Sequence, residues 1–137
     1  MKSWIVVIAV ALIPVGAVTV GAFDEETPAP KAVMSKLFKG GKAQSKVLDG
    51  QVKATPTDWA AIEKTTQEFA SLGSALGKND PPKGDKESWK KLAGKFGENT
   101  KALHAAAEAK DLDKVKATQK AIGGSCKSCH TAHRPSQ

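Results

Sequence analysis

Near its C-terminus the chain reads Cys126-Lys127-Ser128-Cys129-His130, and Cys-x-x-Cys-His is the spacing at which a c-type haem is covalently attached. Each thiol can add across one vinyl group of the macrocycle, and the imidazole beside the second cysteine can bind iron as the proximal ligand. On a helix Cys126 and Cys129 lie three apart and His130 lies four from Cys126, so all three can address one edge and one face of a flat ring. Other chemistries fit the spacing less well. A thioredoxin-type dithiol should follow a strand in a βαβ pattern, and no convincing strand is present. A zinc site drawing Cys126, Cys129, His130 and His133 from eight consecutive residues would lack the spacer usual between ligand pairs.

The elements that must position this motif are helical. Helix 1 is expected over about Lys31 to Val52, with Met34, Leu37, Phe38, Val47 and Leu48 on or beside one face. Gly40-Gly41 interrupts it at about 1 kcal/mol per glycine relative to alanine; either the helix breaks there or something flat packs closely against it. Thr55-Pro56-Thr57-Asp58 reads as the next helix start, with Thr55 as the cap and proline at the first helical position. Helix 2 then carries Trp59, Ile62, Thr66, Phe69, Gly73 and Leu76 down to Gly77. Lys78 to Gly84, with Asn79-Asp80-Pro81-Pro82, is the longest clear loop. Asp85 caps helix 3, whose stripe is Trp89, Leu92, Phe96, Leu103 and Ala107. Asp111 caps helix 4, which holds Leu112, Val115, Ile122 and both cysteines and ends at Arg134-Pro135.

Upstream, Ile5 to Ala22 is an uncharged, mostly apolar run that closes on Val20-Gly21-Ala22. It has the layout of a secretory signal peptide cleaved before Phe23; left uncleaved, it would anchor the chain in a membrane. Either way the folded part, residues 31–137 behind an acidic, proline-rich lead-in at 23–30, is expected in the periplasm. Setting the first 22 residues aside leaves 115, one domain's worth. Those residues hold 20 Lys+Arg, Lys2 falling away, against 14 Asp+Glu. The net +6 favours an acidic redox partner, while the scattered lysines, with no aromatic platform between them, exclude a nucleic-acid module.

Four amphipathic helices on short links predict an all-α, antiparallel up-down-up-down four-helix bundle. The start of helix 1 then meets the end of helix 4. Met34, about one turn into the first, and His130, about one turn before the end of the last, should differ in level by only a few ångström at ~1.5 Å per residue. Met34 can therefore face the iron from the side opposite His130, unless it is core filler. His133 shares a helix with His130 and cannot reach the opposite face; His104 lies roughly 20 Å along helix 3 from the haem end. Both read as surface or packing histidines. The pocket at that end draws on Leu37, Phe38, Gly41, Leu72, Leu76, Trp89, Leu92, Phe96 and Ile122, with Trp59 at the opposite end.

With this motif on the last of four helices, and Met34 placed 96 residues before His130, the chain from about Lys31 to Arg134 resembles the class II c-type cytochromes, the cytochrome c prime family. Thr131-Ala132-His133-Arg134 keeps the arginine that commonly follows the motif, which joins the pocket, and replaces the usual aromatic with His133. Ile122-Gly123-Gly124-Ser125 looks like the family's small-residue approach to the motif. An arginine often found shortly before the helix 1 methionine is absent, Lys31 being the nearest cation. The resemblance implies one covalent haem c and a tendency to pair as homodimers. It also implies two alternatives: a low-spin electron carrier with methionine on the iron, or a five-coordinate site that binds small gases such as NO or CO.

Met34 puts the His130/Met34 one-electron shuttle first, the gas-binding protein second, and a non-haem thiol or zinc-binding helical protein third. No catalytic constellation is visible, so a non-enzyme is expected.

Overall fold

In a computed structural model the structure describes residues 26–135. The signal-peptide reading of 1–22 and the first part of the lead-in lie outside the described residues. Five α-helices and no strand are found among those described: α1 Pro30–Phe38, α2 Gln44–Gln51, α3 Trp59–Gly77, α4 Lys86–Glu108 and α5 Leu112–His133. They form a four-helix bundle whose first helix is in two pieces. None of these helices is long and apolar enough to cross a membrane.

The break falls at the two glycines. Lys39 leaves α1 with extended backbone, and Gly40 sits at φ +85°, a left-handed conformation that a side chain would oppose. A Cβ at Gly40 or Gly41 would meet nothing within 4 Å, so close packing accounts for neither, and backbone conformation accounts for Gly40. The single helix expected over 31–52 is thus corrected to two.

Three aspartates start the long helices. The side chain of Asp58 accepts from Ala61 N at 3.0 Å, that of Asp85 from Ser88 N at 2.7 Å and that of Asp111 from Lys114 N at 2.9 Å, each satisfying one donor the first turn leaves free. The start expected at Thr55-Pro56 is corrected by this: Asp58, not Thr55, is the cap, and α3 begins at Trp59. The α4–α5 link is a Schellman turn, with Asp111 N donating to Ala106 O at 3.0 Å and Lys110 N to Ala107 O at 2.9 Å. Lys110 takes the left-handed position at φ 55°.

Packing runs down the chain. α3 lies along α4, α4 along α5, and both α1 and α2 lie on α3. α3 and α4 approach closely at Gly73 and Gly97. A Cβ on Gly73 would stand 2.2 Å from Thr100 Oγ1, and one on Gly97 would stand 3.3 Å from Gly73 O. Around this crossing Leu37, Leu48, Ile62, Phe69, Leu76, Leu103 and Ile122 are buried. Phe38 packs edge-on against both Phe69 and Phe96, at 6.0 and 6.3 Å between ring centroids.

The ends sort as an up-down-up-down bundle requires. Asn79, just past α3, donates through Nδ2 to Pro28 O at 3.1 Å, and its own carbonyl accepts from Trp89 Nε1 at 2.7 Å. The Trp89 ring stands edge-on to His133, 5.3 Å between centroids. The start of α1, the end of α3, the start of α4 and the end of α5 are thereby joined at one end. Gln51 Nε2 donates to Ala61 O at 3.2 Å, which puts Trp59 at the other.

Candidate haem-attachment site

The last three turns of α5 carry the motif. Ile122, Cys126, Cys129 and His133 are spaced four, three and four residues apart, so they form one stripe on the helix. Ile122 and His133 are buried, and both cysteines are half-buried. Cys129 packs against the core cluster. The thiols are free; Cys126 Sγ lies 3.7 Å from Ile122 O. Burial, and then the neighbouring Cys126, push the Cys129 thiol up from its ordinary pKa. His130, one position round from the stripe, is exposed.

The flank of α5 beside this stripe is open. Gly123, one turn before Cys126 and two before His130, and Gly124 are both exposed, and a Cβ on either would meet nothing within 4 Å. No Cα of α1 comes within 8 Å of α5, whereas directly packed helices have their axes 8–10 Å apart and bring Cα atoms closer than that. Farther along, Gln119 Nε2 donates to Asp49 on α2, so the first helix and the last are tied about three turns from His130 and stand apart above that tie. Met34 is half-buried on α1 and packs on the core.

This arrangement fits a covalent macrocycle. Two unpaired thiols three residues apart, an exposed imidazole next to the second, glycines that leave the approach clear, and a first helix that stands off from the last are what a plate held edgewise on α5 requires. Cys126 and Cys129 would hold it by thioether bonds and His130 would bind its iron. The zinc alternative loses its fourth donor. His133 Nδ1 lies 2.8 Å from Lys83 O and Nε2 lies 3.1 Å from Ser88 Oγ, so both ring nitrogens are taken. No group of three or more metal-binding side chains occurs among the described residues.

The remaining expected pocket residues divide. Leu37, Trp89, Phe96 and Ile122 are buried at or near the haem end; Leu72 and Phe38 are half-buried against the same core. Leu92 is half-exposed on the outer face of α4 among Lys90, Lys91 and Lys95. Gly41 and Arg134 are exposed. His104 is a packing histidine, its Nδ1 lying 3.1 Å from Thr66 Oγ1. His133 is one as well, and not a surface residue: it is only 2% exposed.

A helical bundle with this site on its last helix has the layout expected of a c-type haem protein. Residues 84–134, the α4–α5 pair with its motif and less than half of the chain, match the cytochrome c′ family. A curated cytochrome c′ from Alcaligenes xylosoxydans xylosoxydans is 46% identical over 50 residues, which span 36% of this chain and 39% of that protein. No solved structure matches. The family match covers the proximal helix and its neighbour; α1, with Met34, lies outside it.

Proposed function

We propose that this chain is a haem protein of the gas-binding type, in which His130 holds the iron from α5 and the opposite side admits a small diatomic ligand. The observation that carries this reading is the attachment of α1. Val33 and Leu37 of that helix are fully buried, Lys36 pairs with Glu68 on α3, and no Cα of α1 lies within 8 Å of α5. A nine-residue helix bounded by a glycine at positive φ and fastened to α3 is not drawn onto the iron by α5. Similarity to a cytochrome c′ supports the same reading, and it reverses the order in which the sequence ranks the two haem alternatives.

Cys126 and Cys129 would hold the haem and His130 would bind its iron, which would supply either a site for a small ligand or a one-electron redox couple. The chain's own part is to present His130 at the end of α5, to fix the ring through Cys126 and Cys129, and to keep the α1 side apolar with Met34. Electron transfer through a His130/Met34 pair is the second reading, favoured by Met34 being the sole thioether beyond Met1 and by its position at the same end of the bundle. In both readings the protein is a carrier, not an enzyme. It works outside the cytoplasm, and its basic surface suits an acidic partner.

Absorption spectra of oxidised and reduced protein, with and without carbon monoxide, separate the readings. The gas-binding assignment expects high-spin bands and carbon monoxide uptake as fast in wild type as in Met34→Ala. Low-spin bands with a sulfur-to-iron charge-transfer feature, abolished in Met34→Ala, would overturn it in favour of the electron carrier.

A further inference from the structure

His130 occupies the least constrained part of its helix. The last intrahelical bond of α5 runs from Arg134 N to His130 O, 3.1 Å, and the carbonyls beyond it have no helical partner. In that final turn Thr131 and Arg134 are exposed, Ala132 is half-buried, and His133 alone is buried. An exposed imidazole on a fraying turn would have no fixed rotation. Something must hold the turn.

His133 does so by three contacts to other elements. Its Nδ1 lies 2.8 Å from the Lys83 carbonyl; a carbonyl can only accept, so Nδ1 donates. In the neutral ring Nε2 is then the bare nitrogen and accepts from the Ser88 hydroxyl at 3.1 Å. The third contact is the edge-on packing with Trp89, whose indole is itself anchored on Asn79 O. The loop is shaped for this: Gly84 sits at φ +84°, and a Cβ there would stand 2.8 Å from Ala132 O and 3.2 Å from His133 Nδ1. We propose that His133 is a positioning residue for the iron-binding imidazole, its hydrogen bonds to Lys83 O and Ser88 Oγ fixing the last turn of α5 and through it the rotation of His130. Partners that orient a metal ligand tune the metal as well as the geometry. The proposal rests on His130 as the iron ligand and is independent of which distal reading holds.

The test uses the haem-loaded protein and three variants. His133→Phe keeps a ring against Trp89 but removes both hydrogen bonds. His133→Asn places an amide N–H near the position of Nδ1 and keeps the bond to Lys83 O. Ser88→Ala removes only the Nε2 partner at a half-exposed position. Two readouts report on the iron: the midpoint potential and the hyperfine-shifted resonances of the His130 ring in the ferric state. We expect His133→Phe to change the reduction equilibrium constant by roughly tenfold, which is ~59 mV for one electron, and to move the His130 resonances. His133→Asn should recover most of that shift, and Ser88→Ala should show a smaller one of the same sign. Where His133→Phe does not fold, the other two variants carry the test. Wild-type potentials and His130 resonances in every variant that retains haem would overturn the proposal. Absence of haem from wild type would instead overturn the haem reading beneath it.

Discussion

The indole of Trp89 stands edge-on to the imidazole of His133, 5.3 Å between centroids, and this pair joins the start of α4 to the end of α5. It fixes which end of the bundle carries the motif. Haem should therefore quench Trp89 fluorescence more strongly than that of Trp59, which lies at the other end. Single-tryptophan variants measured with and without haem check this; equal quenching would contradict the topology.

Covalent retention of haem should depend on both thiols. Cys126→Ala combined with Cys129→Ala is expected to leave no haem on the polypeptide after denaturing electrophoresis, whereas each single variant keeps one thioether and part of the stain. Full retention by the double variant would remove Cys126 and Cys129 from the site.

The thiols also offer a pH signature before attachment. Burial holds Cys129 above the usual thiol range, and only the thiolate alkylates. In the unloaded chain its iodoacetamide labelling should rise at higher pH than that of a free thiol. The sign for stability follows: the buried neutral thiol favours the folded state below the unfolded thiol pKa, and that contribution is lost as pH rises through the raised folded value. Holoprotein should incorporate no label at either cysteine.

Gly73→Ala tests the helix crossing. Its new methyl would stand 2.2 Å from Thr100 Oγ1, so α3 and α4 must separate or Thr100 must turn away. Overpacking of this kind costs about 1–3 kcal/mol, read as a drop in the denaturant midpoint. Gly94→Ala, at a site where a Cβ meets nothing within 4 Å, should be neutral or slightly stabilising.

Lys110→Gly should stabilise the protein. Lys110 occupies the left-handed position of the Schellman turn at φ 55°, where a side chain is disfavoured and glycine is at home. A gain of roughly 0.5–1 kcal/mol is expected by chemical denaturation; an equal loss would mean that the lysine side chain has a role of its own.

Much of this was readable beforehand because it depends on local chemistry. Asp85 and Asp111 cap the helices they precede, since a carboxylate beside an amphipathic run has little else to do. The motif's residues fall on one helix because their spacing is helical. What the chain alone hid depends on partners distant in sequence. Gly73 and Gly97 look like helix-weakening residues until the opposing helix supplies Thr100. His133 passes for an unused histidine until Lys83 and Ser88, about 50 and 45 residues away, close on it. One sign of it was visible, a histidine standing where an aromatic is usual. The fate of Gly40-Gly41 was open for the same reason: a broken helix and a close-packed one call for the same two glycines.

The two sides of the candidate haem site hang from different helices. α1 is fastened to α3, while the motif is on α5, fastened to α4, and the two halves meet at the Gly73–Gly97 crossing. The arrangement works like a pair of tongs whose jaws are α1 and α5 and whose pivot is that crossing. On the proposed haem reading, the spacing of the two jaws would depend on this contact, which touches neither of them, together with the Gln119–Asp49 tie.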